Sequence, residues 1–410
     1  MTDRTPPKLA TLILLTGGSV LTINMFVPSL PGMAQDFGVD YGTMSLVIGA
    51  YLLMTAVMQL IFGPLSDVYG RRPVILAGFA IFTLASVVCT LTSDITVFWI
   101  ARLMQAASTV GIAISRAVLR DQYESREITQ KMATVSMVMA LGPILGPALG
   151  GVIDEVLGWR GNFGFYTLLG VGGFLLAWID LGETNTSRGG GFVAQFRSWP
   201  ELLRSPRFWG YASCWGVSIS TFHIFVAAAP LALTTAFGMG TGQVGLCMGS
   251  MSLGFMAGSW ITGRVTRRVD WPLTRLLIIG RVMAVAGLAA AMVAQELGAL
   301  TMSLLIAGMI LNGIGNGLTA PNAASGVMAV RPHLAGAASG LSSALLQLAG
   351  AVATGIVGVL LAPGIAMEVL IGAMLVASLI GLAIGIWLTW IERRRGVIRT
   401  DVPPADPSME

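Results

Sequence analysis

Long runs of apolar residues alternate with short polar segments along almost the whole chain. The stretches 9–26, 74–91 and 369–390 contain no charged residue, and about 20 helical residues are enough to cross a hydrocarbon core of about 30 Å. The pattern therefore predicts membrane-spanning helices. We place twelve spans at 9–30, 43–62, 74–93, 95–119, 132–153, 162–182, 207–236, 243–262, 275–295, 300–322, 336–361 and 367–391.

The segment 183–206, between the sixth and seventh spans, contains three consecutive glycines at 189–191. Such a composition is typical of a flexible linker, here on the cytoplasmic side. It divides the chain into an N-terminal six-helix half (1–182) and a C-terminal six-helix half (207–391), and residues 392–410 form a cytoplasmic tail. The expected fold is an all-α integral membrane protein with two halves around a central cavity.

Arginine and lysine residues fall almost entirely in alternate loops. If the N-terminus is cytoplasmic, the inner loops contain Arg71, Arg72, Arg188, Arg264, Arg331 and other basic residues. The outer loops contain only Arg160 among basic residues, together with acids such as Asp36, Asp94 and Glu296. This asymmetry predicts a multi-pass protein of the bacterial inner membrane with both termini in the cytoplasm.

Composition excludes several classes of function. Of the 410 residues 55% are hydrophobic and 11% charged, against about 25% charged in soluble domains. The net charge of +4 comes from loop arginines, so no nucleic-acid partner is expected. Lys8 and Lys131 are the only lysines and neither follows a glycine, which excludes a Walker loop. We expect no enzyme activity, no cofactor and no metal.

Segment 63–73, in the predicted turn between the second and third spans, reads GPLSDVYGRRP. The segment resembles the signature of the major facilitator superfamily, which has a glycine, an aspartate four residues later, and then a glycine followed by paired basic residues. A copy without the aspartate begins at residue 263. The resemblance implies a gate in which glycines allow a tight turn and a close approach of helices, and in which the aspartate pairs with an arginine or a neighbouring helix end in the inward-closed arrangement. A loop that only follows the positive-inside pattern is the alternative. The gate residues are Gly63, Asp67, Gly70, Arg71 and Arg72.

The fifth span contains GPILGPALGG at 142–151, which looks like the motif of the superfamily's drug antiporters. Gly142, Gly146 and Gly150 form one smooth stripe on a helix, although such stripes also occur in other membrane bundles. Pro143 and Pro147 remove two backbone donors and should bend or stiffen the span. We assign these glycines and prolines to gating.

Three further segments, 27–31 (VPSLP), 102–105 (RLMQ) and 115–121 (SRAVLRD), are similar to the Bcr/CflA group of bacterial drug-resistance exporters. The resemblance implies secondary transport of small molecules across the lipid bilayer, multidrug or metabolite efflux by alternating access, and exchange for protons. We expect a monomer. A facilitator or importer with the same fold, and a membrane sensor that binds solute without transport, remain alternatives.

Arg102 lies well inside the fourth span, where a charge is costly unless it faces a cavity or finds partners. We predict that it lines the cavity, with snorkelling towards the outer surface as the alternative. Arg116 and Arg281 lie nearer the cytoplasmic ends of their spans, so for them snorkelling is favoured. Tyr51 and Gln105 are further candidates for contact with the solute or for coupling.

Asn24 departs from the resembling exporters, which often carry an aspartate in the first span just before a methionine. By helical rise it lies at about the depth of Arg102, so the two are expected to share one polar level of the cavity. An amide does not change charge over physiological pH, which weakens the prediction of proton antiport. His223 is the only deeply placed residue that titrates near neutrality, and its roles in coupling and in a simple interhelical hydrogen bond stay equally open.

Overall fold

The computed structural model describes residues 7–122, 125–184, 199–269, 271–331, 334–362 and 364–394. Every regular element in these ranges is a helix. Twelve helices are long: α1 (Leu9–Phe37), α2 (Tyr41–Tyr69), α3 (Arg71–Leu91), α4 (Ile95–Leu119), α5 (Ser125–Leu157), α6 (Trp159–Asp180), α7 (Pro206–Phe237), α8 (Thr241–Arg268), α9 (Leu273–Glu296), α10 (Met302–Ala329), α11 (Ala335–Leu360) and α12 (Ala366–Arg394). A five-residue helix, Trp199–Leu203, precedes α7.

The number and type of spans agree with the sequence prediction. Within the described ranges, eleven helices are long and apolar enough to cross a membrane. The remaining long helix, α5, has 33 residues and contains the predicted fifth span. An all-α membrane fold with about twelve spans is therefore confirmed. Most of the predicted linker, at 185–198, and residues 395–410 of the predicted tail lie outside the described residues.

Two spans that were predicted to be continuous are interrupted by 3₁₀ turns. In α1 the α-helix Leu9–Asn24 is followed by a 3₁₀ turn at Val27–Ser29 before helix resumes at Leu30. Pro28 lies in this turn and has no N–H to donate to the helical ladder. In α4 a 3₁₀ segment covers Gln105–Thr109. Both interruptions adjoin residues that the sequence analysis assigned to the site.

Segment 63–73 was predicted as a loop, and this was wrong in detail. Residues up to Tyr69 continue α2, and α3 begins at Arg71, so Gly70 alone makes the turn. Its φ of 101° is accessible to glycine and costly for other residues. The helices extend beyond the apolar runs because their polar ends project out of the hydrocarbon layer, where charged residues carry no penalty.

An acidic side chain joins the first and last helices of each six-helix group. Asp180 of α6 accepts a hydrogen bond from Thr11 Oγ1 of α1 at 2.6 Å. Glu392 of α12 is buried and pairs with Arg207 of α7 at 2.8 Å, and α12 continues to Arg394, past the residue at which the cytoplasmic tail is predicted to begin. We call this end of the bundle, which also holds Arg71, the basic end. The opposite end, which holds Asp36, Asp94 and Glu368, is the acidic end.

Candidate substrate-translocation site

The two six-helix groups are in direct contact at the acidic end. The Tyr41 hydroxyl of α2 donates a hydrogen bond to the Ala227 carbonyl of α7 at 2.7 Å. The carboxylate of Glu155, at the end of α5, accepts a hydrogen bond of 2.9 Å from the Gly242 N–H in the first turn of α8. Negative charge is favourable at a helix N-terminus. These contacts close the acidic end in this conformation.

Towards the basic end the groups separate around a cavity of 610 Å³. One wall comes from α2, α4 and the first residue of α3, and the other from the first three turns of α11. The polar lining residues are Gln59, Asp67, Arg71, Arg116, Ser339 and Ser343. The volume lies within the range of about 300–1,000 Å³ that is usual for small-molecule sites. A larger cavity of 740 Å³ lies within the second group, between α7, α11 and α12, and its lining is almost wholly apolar. The cavity of 610 Å³ is the stronger candidate for solute binding, because it lies between the two groups and carries charged and hydroxyl side chains.

Arg102 lies in the interior of the first group, away from this cavity. None of its surface is exposed. Its guanidinium donates to Gln105 Oε1 at 2.6 Å and to the Thr22 carbonyl at 2.9 Å. It also lies 4.0 Å from the Tyr51 ring centroid and 4.3 Å from that of Phe26, a cation–π geometry. Desolvation of the charge is thus offset by carbonyl oxygens and aromatic faces rather than by water.

The other predicted site residues of the first group surround Arg102. Gln105 continues the network by donating to Ser86 Oγ at 2.8 Å, and Tyr51 is 1% exposed. Asn24 does not share a hydrogen bond with Arg102, whose guanidinium donates to Gln105 and to the Thr22 carbonyl. The Oδ1 of Asn24 is buried and has no hydrogen-bond partner within the described residues. Contact of any of these side chains with a solute stays a prediction, because all are buried in this conformation.

The predicted gate contains a compact ion-pair network. Arg71 lies 2.6 Å from Asp67 Oδ1 and 3.1 Å from Asp121 Oδ2. Glu183, just after α6, accepts a hydrogen bond of 2.9 Å from the Arg71 N–H. A Cβ on Gly70 would meet this carboxylate. Asp67 and Arg71 are therefore paired while the cavity at this end is open, whereas the pairing was expected in the inward-closed arrangement. Asp121 and Glu183 are two further acids of this network.

The remaining gate residues differ in their surroundings. Arg72 donates to the Trp178 carbonyl at 2.9 Å and lies over the indole ring of that residue, which fixes α3 against α6. Gly63 lies within α2 and lines the cavity. A Cβ there would meet no atom within 4 Å, so the expectation that this glycine permits a close helix approach was wrong.

The glycine stripe of α5 packs against α1. A Cβ on Gly142 would meet the Val20 side chain, and one on Gly150 would meet the Met25 backbone, whereas one on Gly146 would be 3.7 Å from its nearest neighbour. On another face of α5, the Pro147 carbonyl approaches Gly245 of α8. Pro143 and Pro147 lie inside a helix that is assigned without a break. Through this segment α5 therefore contacts both α1 of its own six-helix group and α8 of the other group.

Arg281 was expected to snorkel, and the structure contradicts this. The side chain is fully buried in the second group and donates to Thr319 Oγ1 at 3.0 Å and to Asn316 Oδ1. Asn312 joins the network through a 3.2 Å hydrogen bond from Asn316 Nδ2. The prediction failed because polar partners on a neighbouring helix were not visible in the sequence around Arg281. Among the residues whose burial is described, each six-helix group thus contains one arginine with no exposed surface.

His223 lies between α7 and α11. Its ring packs on Gly350, where a Cβ would come within 2.8 Å of Nδ1. Nδ1 is 3.0 Å from the Ile219 carbonyl of its own helix, and the residue is 5% exposed. The hydrogen bond predicted as one alternative was to a neighbouring helix, whereas the one observed is within α7, and α11 is contacted by packing on Gly350. A role in coupling stays a prediction.

Comparisons with known proteins agree with these features. The sequence model of the Major Facilitator Superfamily matches residues 12–354. The chain is 31% identical to the "Chloramphenicol resistance protein" of Pseudomonas aeruginosa over 336 residues, covering 80% of this chain and 78% of the relative. It is also 31% identical to "Multidrug resistance protein D" of Escherichia coli (strain K12) over 349 residues, covering 82% and 84%.

Solved structures share the fold. A bacterial homologue of the human lysosomal transporter Spinster, in an inward-facing and occupied conformation, has a TM-score of 0.76 at 16% identity, covering 97% of this chain and 98% of that one. A peptide transporter in complex with alafosfalin has a TM-score of 0.77 at 14% identity, covering 96% of each chain. At these identities the likeness extends to the fold alone.

Proposed function

This chain belongs to the Major Facilitator Superfamily and is a secondary transporter with drug-resistance proteins among its relatives, and we propose that it exports amphiphilic small molecules by alternating access. The cavity between the two six-helix groups is the observation that carries this proposal. It reaches the basic end, while direct contacts close the acidic end. Such a conformation corresponds to one of the two states that alternating access requires.

The basic end is proposed to face the cytoplasm. Short cytoplasmic loops of membrane proteins are rich in arginine and lysine, and the basic end carries Arg71 and Arg207 in its connections. In this orientation both termini are cytoplasmic, and the cavity receives solute from the cytoplasm. When the bundle then opens at the acidic end, the solute leaves on the outer side, so transport is directed out of the cell.

The moving parts are proposed to be the N-terminal half (1–182) and the C-terminal half (207–391), connected by the linker 183–206. Reopening would break the hydrogen bond between Glu155 and Gly242 at the acidic end. At the same time α11 would approach α2 and α4, which closes the cavity. The ion pair between Asp67 and Arg71 lies on the wall that meets α11, and this supports a role in gating.

Drug efflux is tested by accumulation of radiolabelled chloramphenicol in an efflux-deficient bacterial strain. Cells that express the protein should contain less of the compound than cells with an empty vector. An uncoupler or the Asp67→Asn substitution should restore accumulation. Increased accumulation would instead identify an importer or facilitator. Binding by the purified protein without any change in accumulation would identify a sensor.

Proton coupling is proposed to depend on His223 or on a carboxylate near a membrane boundary, because Asn24 replaces the acid of the resembling exporters. The test uses proteoliposomes with an imposed pH gradient, with chloramphenicol and the lipophilic cation tetraphenylphosphonium as solutes. We expect weak or no transport of the cation. The His223→Gln variant should flatten the pH response, and Phe222→Leu serves as the neighbouring control. Proton-driven export of the cation, unchanged in His223→Gln, would contradict both expectations.

A further inference from the structure

Arg116 differs from the other two arginines that lie within spans of the described structure. Arg102 and Arg281 have no exposed surface, and each is held by hydrogen bonds within its own group. Arg116, on α4, is exposed and lines the cavity at the basic end. The expectation that it snorkels towards the lipid headgroups was therefore wrong, since its side chain faces the space between the two groups.

The charge of Arg116 is not balanced by a neighbouring acid. Among the described residues, no carboxylate oxygen lies within 4.0 Å of its guanidinium, and its one hydrogen-bond contact is to the Met139 sulfur at 3.4 Å. A thioether is a weak acceptor. The other charged side chains of the cavity lining, Asp67 and Arg71, lie 2.6 Å apart in an ion pair, and Arg71 also pairs with Asp121. The cavity thus contains a guanidinium with unused donors.

The wall provided by α11 has no acidic side chain among its described residues. It consists of small residues, Gly336, Gly340 and Ala344, and of the hydroxyl residues Ser339 and Ser343. Small side chains leave room for a solute next to the arginine. The hydroxyl groups add hydrogen-bonding capacity without a competing negative charge.

We propose that Arg116 binds an acidic group of the transported solute, a carboxylate, phosphate or sulfonate on an amphiphilic molecule, and that it makes this transporter prefer anionic amphiphiles. The proposal rests on the proposed function of the same cavity. A guanidinium offers two parallel donors that match the two oxygens of such a group. The apolar part of the solute would occupy the remainder of the 610 Å³.

The test compares two probes that differ in one group, dansylglycine with a carboxylate and dansylglycinamide with a neutral amide. Affinities of the purified full-length protein in nanodiscs are measured by fluorescence polarisation. We expect the wild type to bind dansylglycine more tightly. Arg116→Gln should reduce the affinity ratio of the two probes about tenfold, because a hydrogen bond to a charged group is lost. Arg116→Lys should retain only part of the preference, because an ammonium keeps the charge but lacks the two parallel donors.

Controls separate the local effect from a general one. Arg275→Gln removes an exposed basic-end arginine that lies over the Trp271 ring outside the cavity lining, and it should leave the ratio unchanged. Ser343→Asp adds a competing carboxylate on the opposite wall and should lower the ratio, whereas Ser343→Asn should not. This second pair keeps the proposal testable if Arg116→Gln does not fold.

Each outcome decides the proposal. The proposal is overturned if the wild type does not prefer the carboxylate probe. It is also overturned if the affinity ratio stays within about twofold of wild type in both Arg116→Gln and Ser343→Asp, or if Arg275→Gln lowers the ratio as much as Arg116→Gln does. The proposed export function is judged separately by chloramphenicol accumulation. Unchanged probe preference in an active exporter refutes the role of Arg116 alone. The expected preference without export supports the site and refutes the transport direction.

Discussion

Replacement of the stripe glycines of α5 by alanine should affect stability in an order that the structure fixes. Gly142, Gly146 and Gly150 are equivalent by sequence spacing, but their surroundings in α1 differ. At Gly150 an added Cβ would overlap the Met25 carbonyl oxygen and lie 2.6 Å from the carbonyl carbon. Because these are backbone atoms, no rotamer change relieves the overlap, and α1 and α5 must move apart.

The magnitudes follow from two opposing terms. Alanine is about 1 kcal/mol more favourable than glycine inside a helix, and overpacking costs about 1–3 kcal/mol or more. At Gly146 the nearest atom would be 3.7 Å from the Cβ, an ordinary contact, so Gly146→Ala should be neutral or stabilising by up to about 1 kcal/mol. At Gly142 the conflict is with the Val20 side chain, which can adjust at a cost of about 1–2 kcal/mol. Gly150→Ala should cost about 3 kcal/mol or more.

This order is measured by heating the purified variants in detergent micelles. Size-exclusion chromatography then gives the amount of protein that remains folded at each temperature. We expect Gly146→Ala to equal or exceed the wild type, Gly142→Ala to unfold earlier, and Gly150→Ala to unfold first or to be poorly produced. Gly146→Ala is the matched control, since it makes the same chemical change on the same stripe. A Gly150→Ala variant that unfolds with the wild type would refute the close approach of α5 to α1.

Three further substitutions test other contacts. Arg281→Ala should lower the unfolding temperature, because Asn316 loses a charge-assisted hydrogen bond in the membrane interior; unchanged unfolding would show that the buried network contributes no stability. Asp67→Asn should slow chloramphenicol transport while leaving its binding affinity nearly unchanged, and normal turnover would remove the gate argument. Glu155→Gln should shift the protein towards opening of the acidic end, visible as longer distances between spin labels at the acidic ends of α5 and α8, and unaltered distances would count against this contact.

Several features of the protein follow from local sequence alone. The number of spans follows from the number of apolar runs that are long enough, because about 20 helical residues cross the hydrocarbon core of the bilayer. The pairing of Asp67 with Arg71 was expected from their proximity in the sequence, and the two residues do meet across the turn at Gly70, between the end of α2 and the start of α3. The family resemblance likewise depends on short continuous segments, such as 63–73 and 142–151, which can be identified without the structure.

The surroundings of each arginine were decided only by the tertiary structure. Helical rise gives the depth of Arg102, Arg116 and Arg281 in the membrane, but not the direction in which each side chain points around its helix. Arg102 is enclosed by Tyr51 and Phe26, and Arg281 by residues of α10, whereas Arg116 is the one of these three that lines the cavity. These partners are distant in sequence and come together through helix rotation and packing, which no apolar run specifies.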